Sequence, residues 1–172
     1  MKTRTRLTGT IVGAMAAGLA AAMLRRSVTR FEVVEASMSP ALEPGDYLIA
    51  ARLGQLKRGR VVVFAHPRRP SFALIKRVVG LPGELVEIAS GQVHINGAIL
   101  AEPWANGPTT GDGTWQLAPD QAFVLGDNRS VSADDSRGMG ALQLTEVKWQ
   151  VLFRYWPVSR LGRLHDLEPM TN

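Results

Sequence analysis

From Phe31 onward the chain is a succession of short apolar runs cut by turn residues. FEVVEA (31–36), DYLIAA (46–51), RVVVFAH (60–66), FALIKRVVG (72–80), ELVEIA (84–89), QVHI (92–95), AFVLG (122–126) and VLFRYW (151–156) are rich in β-branched and aromatic residues, and Gly, Pro, Asp and Asn separate them. The pattern predicts a mostly β fold. Asn96-Gly97 between two apolar runs is the signal of a type I′ hairpin turn. Residues 102–114, EPWANGPTTGDGT, read as an exposed loop at the tip of a small hairpin subdomain covering about 85–120. A helical turn is expected only within Leu142–Val151, and no internal repeat interrupts the series.

The N-terminal segment has a different pattern. Leu7 to Leu24 runs 18 residues without a charge, about 27 Å as a helix against a hydrocarbon core of roughly 30 Å. The expectation is a single membrane anchor, with residues 1–30 forming the basic anchor segment and 31–172 the catalytic domain. A cleavable leader is the competing reading, because Ala20-Ala21-Ala22 resembles a small-residue cleavage site after an apolar stretch. Arginines flank the segment on both sides, so charge asymmetry alone does not orient it.

Charge changes the picture less than the sequence pI of about 10.2 suggests. Residues 1–30 hold Lys2, Arg4, Arg6, Arg25, Arg26 and Arg30 and no acid, so the rest of the chain carries −1 of the net +5. The basic character belongs to the end that would meet anionic lipid, and no nucleic-acid partner is expected. With no cysteine, disulfides, thiolate chemistry and the usual zinc clusters are excluded, and neither a metal nor an organic cofactor is implied. A monomer is expected.

Two residues offer chemistry. Ser37 stands in a turn-rich stretch, ASMSPALEPGD, and Lys76 stands in the apolar strand FALIKRVVG, 39 positions later. A serine hydroxyl attacks a carbonyl only if a base takes its proton, and an uncharged lysine is a known alternative to histidine. The amine must fall from about 10.4 to roughly 7, which burial among apolar side chains can achieve. Phe72, Ala73, Leu74, Ile75, Val78 and Val79 are candidates for that setting. Taken singly, Lys76 reads equally as a solvent-facing strand lysine and Ser37 as a loop hydroxyl. His66, His94 and His165 lack metal-ligand spacing and lie in no nucleophile motif. Trp104, Trp115, Trp149 and Trp156 read as core or hairpin packing, with Phe31 and one or two tryptophans able to enter a lipid interface.

Four motifs in order resemble those of type I signal peptidases, membrane-bound serine proteases that remove signal peptides from exported preproteins. Ser37-Met38-Ser39-Pro40-Ala41-Leu42 is similar to the nucleophile motif SMxPTL, with alanine for threonine. RGRVVVF (58–64) is similar to RGDVVVF, with Arg60 where an acid is usual. IKRVVGLPGE (75–84) and GDNRSVSADDSR (126–137) are similar to the lysine motif and to the final motif, GDNRxxSxDSR, and Tyr155-Trp156-Pro157 is familiar beyond them.

The resemblance implies a signal-peptidase-like β-sheet catalytic domain on the extracytoplasmic side of a bacterial plasma membrane, with a single N-terminal transmembrane helix. It implies Ser37 as nucleophile, Lys76 as base, Met38 and Pro40 at the substrate, and preproteins with small residues before the cut, bound as an added strand. The final motif is one residue too long. Ser132 is expected to orient the lysine, with Asp135 and Arg137 as a structural ion pair and a bulge absorbing the extra residue. Where some relatives carry an oxyanion-stabilising hydroxyl two positions before the nucleophile, this chain has Glu35. Two other readings stay open. One is a LexA-type autoproteolytic protein, although the expected helix-turn-helix is replaced here by the apolar segment. The other is an inactive membrane-tethered β module that binds exported proteins.

Overall fold

The computed structural model describes residues 27–164. Within them the chain is two antiparallel sheets, as the succession of short apolar runs requires. The larger sheet takes β1 (Val28–Glu32), β2 (Tyr47–Arg52), β3 (Val61–His66), β4 (Arg69–Gly80), β9 (Gln121–Leu125), β10 (Leu142–Gln143) and β11 (Val147–Trp156), in the order β1-β2-β11-β3-β4-β9-β10, with β12 (Gly162–Arg163) pairing β11. The smaller sheet is β7 (Ala98–Ile99), β6 (Gln92–Ile95), β5 (Leu85–Ala89) and β8 (Gly113–Gln116), in that spatial order.

The run Val61-Val62-Val63-Phe64 is apolar at every position because both faces of the large sheet are covered. Alternate side chains of a strand point to opposite faces. Val61 and Val63 therefore pack with Val33, Met38, Leu42, Leu48, Ala50 and Val151, whereas Val62 and Phe64 pack with Leu74, Val78, Val124, Leu142 and Val147. A third cluster, Val79, Val86, Ile88, Val93, Ile95, Leu117, Phe123 and Leu125, joins the two sheets.

Asn96 and Gly97 both adopt positive φ, 52° and 84°, as the expected type I′ turn demands. Ser90 and Gly91 make a second such turn, at 53° and 81°, between β5 and β6. The helical turn foreseen within Leu142–Val151 is a 3-10 turn at Leu144–Glu146.

Three expectations need correction. The first strand spans Val28–Glu32, so Val33–Ala36 are not strand, because the chain must leave the sheet there to reach the turn that holds Ser37. Residues 102–114 are mostly exposed, as expected, but they are not a free tip. Trp104 and Thr109 are buried, Asn106 N–H donates to the Asp127 carbonyl, and Arg129 holds Glu102 and Thr109, so polar contacts fold the loop back over the final motif. Trp156 is half exposed rather than a core residue, since it ends β11 beyond the packed region. Among the described residues no helix is long and apolar enough to cross a membrane, and the expected anchor, Leu7–Leu24, lies outside them.

Gly80 is where the two sheets press closest. A Cβ there would lie 2.5 Å from Val86 Cγ2 and 2.9 Å from both Leu117 Cδ1 and Phe123 Cβ. Gly80→Ala is expected to destabilise the domain by about 1–3 kcal/mol through overpacking, read as a lower urea midpoint at unchanged slope. An unchanged midpoint contradicts the close junction.

Candidate active site

Ser37 is held by its neighbours rather than by a strand. Ala36–Met38 form a single 3-10 turn whose Met38 side chain is buried in the core with Val33 and Leu42, leaving Ser37 at the surface of that packing. The following Ser39-Pro40 peptide is cis. The chain beyond is fastened from the C-terminal side. Arg154 donates to the Ala41 carbonyl at 2.8 Å, and Arg160 donates to the Pro40 carbonyl at 2.9 Å. Both arginines also pair with buried Asp46.

Lys76 lies in the middle of β4, opposite Val62 of β3. It shares a face with Leu74 and Val78, and it is 2% exposed. The expected apolar setting is thus supplied by alternate residues. Val79 packs under the smaller sheet and Phe72 is largely exposed, so neither covers the amine. Lys76 Nζ donates to Ser37 Oγ at 2.7 Å. Burial holds the amine below the usual lysine range, while the carboxylates of Asp135, Glu35, Asp134 and Asp127 pull it back up, in that order.

A cleft of about 350 Å³ opens beside the pair. One wall is Glu32–Glu35 with Met38, and the other is Ser71–Lys76 of β4, with His66, Arg69 and Asp134 at the margin. Pro40 is not among the residues lining it.

The sequence pattern of the family described as signal peptidase, peptidase S26, matches residues 6–156 of this chain. The chain belongs to that signal peptidase family. Signal peptidase I of Leptolyngbya laminosa is 39% identical over 143 residues, 74% of this chain and 68% of that relative, so the chain spans about two thirds of the relative's length. Signal peptidase I of Bacillus caldolyticus is 35% identical over 161 residues, covering 82% and 87% of the two chains. A solved structure of a signal peptidase I from Enterococcus faecalis V583 superposes with a TM-score of 0.49 at 31% identity, over 55% of this chain and 95% of that one.

In this signal peptidase the final motif wraps the contact between Ser37 and Lys76. Ser132 Oγ donates to Asp135 Oδ2 at 2.7 Å. Asp135 is fully buried and also accepts from Arg137 Nη2 at 2.8 Å and Nε at 2.9 Å. Burial pushes the Asp135 carboxyl up, but the bonds from Arg137 and Ser132 outweigh it and hold the group below the usual carboxylate range. Arg137 continues to the carbonyls of Arg129 and Ser132.

Sequence reasoning passed over Asp127, Asn128 and Arg77. Asn128 N–H donates to the Ser37 carbonyl at 3.0 Å, and its carboxamide donates to the Ala36 carbonyl at 3.2 Å, so the turn of the final motif grips the Ala36–Met38 turn directly. Arg77 and Asp127 form a bidentate pair, at 2.8 and 2.5 Å, with both side chains 1% exposed. Burial raises the Asp127 carboxyl in spite of the guanidinium. Arg77 also stacks on Trp104, its guanidinium carbon 5.1 Å from the ring centroid. The available signal was the arginine adjacent to the lysine, whose side chain must point to the opposite face of β4.

Gly126 is the tightest point of the site. A Cβ there would lie 2.3 Å from Ser132 Oγ and 2.6 Å from the Ser37 carbonyl oxygen, which is backbone and cannot swing away. Gly126→Ala is therefore expected to lower kcat/KM by at least about tenfold while circular dichroism stays native, because even an ångström of displacement disrupts catalytic alignment. Wild-type turnover by the variant contradicts this packing.

Proposed function

We propose that this chain hydrolyses preproteins at the signal-peptide junction with Ser37 as nucleophile and Lys76 as general base. The observation that carries the reading is the 2.7 Å contact between a buried lysine amine and the serine oxygen at the edge of an open cleft. Neutral Lys76 takes the Ser37 proton as Oγ bonds to the substrate carbonyl carbon, and the carbonyl oxygen takes up the negative charge. The Ser37 backbone N–H is the donor assigned to that oxyanion. Glu35 cannot share the task when ionised. As the tetrahedral centre collapses, the C–N bond breaks and the Lys76 ammonium protonates the leaving amine. Lys76 then takes a proton from water, the hydroxide adds to the acyl ester, and the second collapse returns a proton to Ser37 as the acid product departs.

The substrate enters as an extended strand between Glu32–Glu35 and Ser71–Lys76. Both walls are extended backbone next to the dyad, the situation in which a peptide adds to a sheet edge. Val34 and Phe72 are exposed on the two walls, apolar surface suited to a signal peptide. Small residues before the cut are assigned from the family. Met38, although it lines the cleft, acts mainly by fixing the nucleophile turn from the core.

We assign Leu7–Leu24 as the bilayer anchor, with residues 31–172 as the catalytic domain outside a bacterial plasma membrane. Ser37 follows Leu24 by thirteen residues, at most about 45 Å of chain, so the cut would be made near the bilayer surface. In carbonate extraction the full-length chain is expected in the membrane pellet. A soluble product beginning near Met23 contradicts the anchor.

Lys76→Ala is expected to lower kcat on a preprotein peptide by at least about 10³-fold without unfolding the domain. Turnover near the wild-type rate overturns the lysine assignment. Activity should rise with pH as the amine loses its proton. Glu35 raises the affinity of that amine for its proton, so Glu35→Gln should move the acidic limb of kcat/KM to lower pH. A limb that stays in place, or moves up, contradicts the electrostatic role given to Glu35.

A further inference from the structure

The link Ala133–Asp134 brings a further carboxylate to the cleft. Asp134 Oδ2 lies 3.0 Å from Arg69 Nη2 and 3.6 Å from His66 Nε2, and all three residues line the same cleft as Ser37 and Lys76. His66 ends β3 and is 2% exposed. Its Nδ1 accepts from the Arg68 backbone N–H at 3.0 Å, so the uncharged ring carries its proton on Nε2. That buried Nε2 has no hydrogen-bond partner in the protein. An unmet donor, closed off from solvent, and a carboxylate acceptor thus lie side by side among the residues that line the cleft.

We propose that His66 and Asp134 form a hydroxyl-recognising subsite that takes a serine or threonine side chain of the preprotein, at a position lying along Ser71–Lys76. The proposal rests on the peptidase reading of the cleft. A hydroxyl oxygen accepts one hydrogen bond and donates another from the same atom, which is what a donor and an acceptor 3.6 Å apart require. That separation is too long for a direct bond between the two groups. A carboxamide spreads its donor and acceptor over two atoms and needs a wider gap. An alanine in the same place fills the space but leaves the imidazole N–H unpaired, a penalty that favours the hydroxyl substrate. An acidic side chain would face the Asp134 carboxylate. Arg69, largely exposed, orients Asp134 from the solvent side and leaves its inner edge toward the imidazole.

The test uses a set of preprotein peptides that differ only in Ser against Ala at successive positions around the cut. The wild-type chain should show a kcat/KM ratio of about tenfold for Ser over Ala at one position, the discrimination that one hydrogen bond to a charged group supports. Asp134→Ala should lower that ratio several-fold, leaving the part that the His66 N–H supplies, and Asp134→Asn, which keeps an acceptor, should retain most of it. Taking the ratio within each variant cancels the influence of Asp134 on Lys76. Peptide affinities of the Ser37→Ala chain give the same comparison without turnover. Flat ratios at every position, in rate and affinity, overturn the subsite, as does a preference that Asp134→Ala leaves undiminished. Failure of the wild-type chain to cut any peptide while the affinity ratio persists would overturn the dyad assignment and uphold the subsite.

Discussion

The structure depends on keeping a lysine amine dry beside a serine oxygen. A buried ammonium is strongly disfavoured, and a fold that buries one commonly does so by letting it lose its proton. Four carboxylates surround Lys76, and any of them left to pair with it would hold the proton on. Three of the four are bound elsewhere. Asp135 is tied to Arg137 and Ser132, Asp127 to Arg77, and Asp134 to Arg69. The arginines of the neighbouring motifs thus occupy the acids and leave the serine oxygen as the hydrogen-bond partner of the amine.

Holding Ser37 in place is a matter of backbone rather than charge. Ser37 sits on one 3-10 turn with little regular structure of its own. Its position is fixed from below by Met38 in the core, from one side by Asn128 on the Ser37 and Ala36 carbonyls, and from the other by Arg154 and Arg160 on the next loop. Gly126 lets the final motif come close enough for this. The loop 102–114 covers the same motif from outside through Glu102 and Thr109, so a segment that contributes nothing to the cleft still rigidifies the residues behind it.

The strands of the large sheet were legible because they are apolar runs with marked turn residues, and Ser37 and Lys76 were legible because they sit in recognisable motifs. What periodicity and motif could not convey was direction. Lys76 and Arg77 are adjacent, yet one faces the cleft and the other is buried against Asp127, an outcome set by strand alternation and by which face meets Trp104. The loop 102–114 looked exposed because its residues are polar, and most of them are exposed, but the burial of Trp104 and Thr109 within it depends on tertiary contacts such as the pairing of Glu102 with Arg129. The register of the final motif was ambiguous by one residue for a related reason. The choice of Asp135 over Asp134 depends on which carboxylate Ser132 and Arg137 can both reach.

The most direct measurement is the titration of the Lys76 side-chain nitrogen itself, by heteronuclear NMR of the labelled domain with the Lys76→Arg variant used for assignment. A midpoint well below that of the other lysines, coincident with the acidic limb of kcat/KM, is the predicted result. An amine that stays protonated up to the ordinary lysine value of about 10.4 while the enzyme is already active would contradict the account.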